Sequence, residues 1–216
     1  MRPKIFDFDP ANASLTGFAS NVTGATFTLT TTATTDGLAH QVSIRNDSAT
    51  DHSGKTVTLV GTDADDKAIT EVVTAPGTSA TVESTGYFKA LTSATPSATI
   101  GGDTFDIGWV DEFVSKTIPL DFRANTPATI QITVTGTINF DVEATLDNPL
   151  EPAGTAPFAF TNQSDLDWLN DGNFTGKTAS LVDDLAIAGY RAIRVVVNSY
   201  TDSAELQVYM TQPAND

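Results

Sequence analysis

The chain has no cysteine among its 216 residues. That removes disulfide frameworks, thiolate metal sites and cysteine nucleophiles, and leaves the redox compartment open. Basic side chains are scarce as well: 11 Lys and Arg stand against 27 Asp and Glu, a formal net charge of -16. Binding DNA or RNA depends on clustered cations that release counterions from phosphate, so nucleic acid is not an expected partner. Histidine occurs only as His40 and His52, and neither lies in a recognisable nucleophile-base-orienter pattern. The expectation is a chain that is not an enzyme and carries no cofactor and no metal. No apolar run approaches the roughly 18 residues of a membrane span, and the basic residues at the N-terminus have no signal-like apolar stretch behind them. No membrane partner is expected.

What the chain does have is threonine, about one residue in six, together with Val, Ile and Phe. β-branched and aromatic side chains suit a pleated, half-buried surface and lose rotamer freedom in a helix, so the reading is all-β. Period-two alternation predicts strands at Thr26–Thr30, His40–Ile44, Phe105–Val110, Thr129–Val134, Asn139–Leu146, Arg191–Val197 and Glu205–Met210. Thr56–Val60 and Ala68–Thr74, separated by the polar tip Asp63-Ala64-Asp65-Asp66-Lys67, read as a hairpin. Shorter candidates follow at Thr81–Glu83, Tyr87–Leu91 and Ala98–Ile100. Strands at this spacing point to sandwiches of jelly-roll or Greek-key type.

The text changes near Ile118-Pro119-Leu120, which divides the chain into an extended N-terminal arm over 1–13 and two β-sandwich modules over 14–117 and 118–216. A long loop is expected from Asp147 to Asp184, with one helical turn at Ser164–Leu169 capped by Ser164. In the arm, Ile5, Phe6 and Phe8 lie between Pro3 and Pro10 without a nearby hairpin partner. Leaving them in water forgoes roughly 1.5–3 kcal/mol each, so the arm is expected to dock, either on its own sheet or on a neighbour by strand addition. Arg2 and Lys4 add positive charge to that segment, which makes Arg2, Lys4, Ile5, Phe6 and Phe8 the candidate interface residues.

Other constellations are weaker. The tip Asp63–Lys67 resembles the start of an EF-hand loop, but Lys67, Ala68 and Thr74 occupy places that need a ligand, a glycine and a bidentate glutamate. A solvated hairpin tip is the better reading. Trp109, Trp168, Tyr87 and Tyr190 would suit a sugar-stacking platform, although aromatics in an all-β fold are more often core or interface.

Three stretches resemble small virion proteins of tailed bacteriophages: Thr35-Asp36-Gly37-Leu38-Ala39-His40-Gln41-Val42, the hairpin VTLVGTDADDKAITEVVTAPG from Val57, and Ser84-Thr85-Gly86-Tyr87-Phe88-Lys89-Ala90-Leu91-Thr92-Ser93. In those proteins a "GTDA-D-G" hairpin precedes a "TET" strand, a Gly or Pro turn and "STKYF". Here Gly86 stands in place of that lysine, and Asp66-Lys67 in place of the hairpin glycine. The second half is similar to other short phage structural modules at Ile118–Arg123, Val142–Pro149 and Tyr190–Val197, before a closing strand that ends in Gln212. The resemblance implies a head cement or decoration protein that stabilises the capsid at subunit junctions. Its partner would be the major capsid protein, its assembly a homotrimer, and its location the virion surface after synthesis in the host cytoplasm. A portal-tail junction or tail component, and a receptor- or carbohydrate-binding β-sandwich, are the alternative readings.

Overall fold

The computed structural model describes residues 3–121, 126–149 and 162–212, and among them the regular structure is nearly all strand, with one short 3₁₀ turn. In chain order the strands are β1 (Lys4–Phe8), β2 (Ser14–Val22), β3 (Ala39–Asn46), β4 (Thr56–Thr62), β5 (Ala68–Thr74), β6 (Thr81–Phe88), β7 (Ala90–Pro96) and β8 (Phe105–Val114). They continue with β9 (Ile118–Pro119), β10 (Thr129–Thr135), β11 (Ile138–Thr145), β12 (Leu169–Asn170), β13 (Leu181–Asp184), β14 (Ala192–Tyr200) and β15 (Glu205–Thr211). The all-β reading is correct. The chain divides into two compact units, one of residues 11–111 and one of residues 1–10 with 112–216.

In the 11–111 unit, β8, β3 and β6 lie side by side with β2 also on β8, and a second sheet runs β5-β4-β7. Alternation explains why both sheets have a dry face. Val42 and Ile44 on β3, Val57 and Leu59 on β4, Phe88 on β6, and Phe105 and Ile107 on β8 are all fully buried in one hydrophobic cluster. Removing that apolar surface from water is the main stabilising term. The β4–β5 hairpin pairs Thr56 with Thr74 through Thr62 with Ala68, as its two alternating runs predict.

Asp66 and Gly86 each have a local physical reason. Asp66 takes a left-handed conformation, φ 62°, where glycine is otherwise favoured, and its carboxylate meets Lys89 Nζ at 2.5 Å. At Gly86, a Cβ would come within 2.9 Å of Glu71 Oε2. The Glu71 carboxylate accepts the backbone amides of Thr85 and Gly86, both at 2.8 Å, and so ties β5 to β6. A lysine at 86 would push on that carboxylate.

In the other unit one sheet has the order β1-β15-β10-β13. The second has the order β12-β11-β14, with β9 and the Phe113–Val114 end of β8 also pairing with β14. Ile130, Ile132, Leu206, Val208 and Met210 are buried from the first sheet, and Phe140, Val142, Ile193, Val195 and Val197 from the second. Phe8 is buried as well, with its ring 5.8 Å from that of Phe113.

The observed division differs from an arm over 1–13 and modules over 14–117 and 118–216. Residues 4–8 belong to the sheet that ends the chain: Lys4 pairs with Met210, Ile5 with Tyr209, Phe6 with Val208 and Phe8 with Leu206. The change of unit falls inside β8, between Asp111 and Glu112, ahead of the proline text at Ile118-Pro119-Leu120. Part of that text, Phe122–Asn125, lies outside the described residues. A uniform strand can serve two units in succession without any turn signal.

Local differences have equally local causes. Thr26–Thr30 is not a strand: Phe27 sinks into the core while the amides of Thr30 and Thr31 both donate to Phe18 O, at 2.8 and 3.2 Å. Ala98–Ile100 is also outside any strand, and β12 and β13 occupy part of the expected loop between Asp147 and Asp184. The helical turn is a 3₁₀ turn over Gln163–Asp165, and Asn162 rather than Ser164 caps it. Asn162 accepts from the Ser164 amide while Asp165 reaches back to the Asn162 amide, a reciprocal capping arrangement.

Candidate functional site

The candidate interface residues converge on the four-stranded sheet. Lys4, Ile5, Phe6 and Phe8 all lie on β1, while Arg2 lies outside the described residues. Side chains alternate across a pleat, so Phe6 and Phe8 point inward beside Val208 and Leu206, and Lys4 Nζ donates to Pro119 O at 3.2 Å. Ile5 points the other way and is 56% exposed.

Register extends that outer face across the sheet. Ile5 is opposite Tyr209, Tyr209 opposite Gln131, and Gln131 opposite Val182, so these four form one row across β1, β15, β10 and β13. Val182 is 63% exposed. Beside the row, Asp7 accepts from Gln207 Nε2 at 2.5 Å, and Thr129 Oγ1 donates to Asp184 at 2.5 Å. Asp7, Asp9, Thr133, Thr135, Glu205 and Gln207 edge a shallow groove of about 350 Å³ at one end of this face. The result is a row of two exposed aliphatic side chains, a half-buried tyrosine and a glutamine, with acidic side chains beside it.

Both histidines are buried, His40 on β3 and His52 in the loop before β4. His40 Nε2 meets Asp36 Oδ2 at 2.8 Å and Nδ1 meets Val110 O at 3.2 Å. Asp36 also accepts the amides of Ala11 and Leu38, at 2.7 and 2.9 Å, and Trp109 Nε1 donates to Asn12 O at 3.0 Å. This group of side chains fastens the segment that leads into β2.

Burial raises the Asp36 carboxyl, but the hydrogen bond from His40, the Ala11 amide, the charge of His40 and the Leu38 amide outweigh it and lower its pKa to about 2. A carboxyl with a depressed folded-state pKa contributes stability that is present above its ordinary value and is lost as pH falls toward the folded one. Asp36 is therefore expected to contribute about 2 kcal/mol at neutral pH, a contribution that disappears between about pH 4 and pH 2. Urea unfolding across that range should show the loss in the parent chain and a flatter profile in Asp36→Asn.

The second histidine sits in a chain of polar contacts: His52 Nε2 to Asp103 Oδ2 at 3.0 Å, and Lys55 Nζ to His52 Nδ1 at 2.9 Å and to Thr99 O at 2.8 Å. The carboxylate orients the imidazole as in a triad, but the third member is an ammonium that donates instead of a hydroxyl that attacks. It joins the loop at 51–55 to the loop at 99–103.

Asp47 and Asp106 meet at Arg45, with Arg45 Nη2 2.5 Å from Asp106 and Arg45 Nε 3.0 Å from Asp47. The pairing links positions far apart in sequence, and no local motif announces it. Among the described residues, no group of three or more His, Asp and Glu side chains is placed to hold a metal ion. At the hairpin tip, Asp63 Oδ1 accepts the amides of Asp65 and Lys67, both at 2.9 Å, which spends the carboxylate on turn formation.

Of the four aromatic side chains, Tyr87 is half-buried on β6. Trp109 and Tyr190 are buried, and Trp168 is half-buried with the Arg194 guanidinium 4.5 Å above its ring. Arg194 also reaches Glu143 at 2.6 Å and Gln163 at 3.0 Å, so the ring face is held by an internal network. No protein-family model, curated protein or solved structure matches the chain.

Proposed function

We propose that the chain is a non-enzymatic structural protein of a tailed-phage virion, a cement or decoration protein that binds the capsid at subunit junctions as a homotrimer. The observation that carries this reading is the placement of the phage-like stretches. They run into β3, through the β4–β5 hairpin and through β6 into β7, all within one unit, and their two departures from the pattern are absorbed locally at Asp66 and Gly86. The row of Ile5, Tyr209, Gln131 and Val182 supplies a contact surface on the other unit. Clamps of this kind act by burying surface across neighbours. The charge of -16 keeps free copies soluble and away from packaged DNA.

Quantitative mass analysis of purified particles tests the proposal. The expected result is on the order of hundreds of copies per particle, because a head decoration protein repeats with the capsid lattice. About a dozen copies or fewer would move the protein to the portal vertex or tail. Absence from the particle would overturn the reading. Binding to isolated heads is expected to weaken in the Ile5→Lys/Val182→Lys variant and to persist in Val72→Lys, a control at an equally exposed apolar residue on β5.

A further inference from the structure

We infer that β1 is an exchangeable strand, which a second copy of the chain can seat on its own β15 edge. This inference is independent of the virion reading. Strand β1 is packed in the unit of residues 112–216, yet the backbone reaches that unit again only after passing through all of residues 11–111. It therefore behaves as a tethered ligand for the β15 edge. Strand β15 lies at the far end of the chain, and β1 makes no hairpin with a sequence neighbour. Pro10 has a fixed φ, and the residue before a proline is held extended, so Asp9-Pro10 leads the chain away from β1 without turning it back.

The far end of the tether is held by the other unit. Ala11 N donates to Asp36 at 2.7 Å, Ala13 N donates to Asp111 at 2.6 Å, and Asn12 O accepts from Trp109 at 3.0 Å. The partners of β1 itself all belong to residues 112–216: the ladder Leu206–Met210, Phe113 against Phe8, and Pro119 O at Lys4 Nζ. A copy whose β1 has opened presents those same partners to β1 of any other copy. Exchange then preserves every one of these contacts, and head-to-tail exchange closes into a ring when the rotation allows. Two quantities decide between the forms: the effective concentration set by the tether and the concentration of chains. Strand β1 is the edge strand of its sheet and pairs on one side only, so it opens at lower free energy than the strands within the sheet, which supplies the route.

The absence of cysteine makes the test clean. One chain carries Asp7→Cys and a second carries Gln207→Cys, positions directly opposite each other on the outer face. Each chain has a single thiol. Strand exchange, which seats β1 of one copy on β15 of another, holds the two introduced thiols together, so their disulfide outpaces the collisional background set by the Phe8→Asp control. The two chains are mixed, incubated up to roughly millimolar concentration, oxidised and separated without reductant, with a mass difference identifying mixed dimers. The expected result is a mixed covalent dimer that grows with chain concentration and falls to that background when Phe8→Asp is added to the chain that carries Asp7→Cys. The double variant Asp7→Cys/Gln207→Cys in one chain serves as the reference. If it closes fully to a cross-linked monomer while mixed dimers stay at the background, β1 remains in its own copy and the inference is overturned. If neither format cross-links, β1 does not lie on β15 in solution and the inference falls as well.

Discussion

Deleting residues 1–10 is expected to destabilise the unit that contains β15 while leaving the 11–111 unit folded. Three contributions combine. Phe8 leaves a site where it is 9% exposed and stands against Phe113. The ladder from Lys4–Met210 to Phe8–Leu206 is lost. The inner edge of Val208 and Met210, both fully buried, gains contact with water. Phe8→Ala alone should cost about 3 kcal/mol, at the lower end for burial of a large aromatic because the site is at a sheet edge. The deletion should cost at least that much. Hydrogen exchange read by mass spectrometry separates the two units. Amides of β15 and β10 should lose protection, and those of β4 and β7 should keep it. Unchanged protection at Leu206–Thr211 would show that β1 contributes nothing to that sheet.

Gly108→Ala should be the most damaging single-methyl addition in the 11–111 unit. A Cβ at Gly108 would lie 1.6 Å from Ser14 O and 2.6 Å from Leu15 C, and both are backbone atoms of β2. No side-chain rotation relieves such a contact, so the start of β2 would have to lift from β8. The same strand already lies close enough for a Cβ at Gly17 to fall 2.1 Å from the Trp109 ring. A loss of about 3 kcal/mol or more is expected, beyond ordinary overpacking because backbone is displaced. Gly54→Ala is the matched control, since a Cβ there meets nothing within 4 Å. Urea midpoints at constant slope measure both variants. A Gly108→Ala midpoint equal to that of Gly54→Ala would contradict the close approach of β2 and β8.

Much of the fold is legible locally. Strands β3, β4, β5, β10, β11, β14 and β15 all lie where alternating Thr, Val, Ile and Phe place them, because a half-buried strand must repeat every two residues. Strand β2 is harder to read. Its sequence Ser-Leu-Thr-Gly-Phe-Ala-Ser-Asn-Val has few β-branched residues, and Gly17 is explained only by the Trp109 ring above it. Thr26–Thr30 has the right period but the wrong context, since one buried Phe27 satisfies the pattern without a partner strand.

The contact surface is divided in the same way. The sequence by itself determined an all-β chain, acidic, without thiol chemistry, and with apolar residues in β1 that need cover. Those properties follow from composition and from period, which are local quantities. Only the tertiary structure decided that the cover is β15, that Ile5 shares a row with Tyr209, Gln131 and Val182, and that His40 and Asp36 close on the segment after Pro10. Pairing between strands far apart in the chain depends on register, and register is selected by the whole sheet when it buries one face. A slip of one residue would turn Ile5 inward and Phe8 to solvent, so the sheet as a whole, and no segment within it, determines which side chains face a partner.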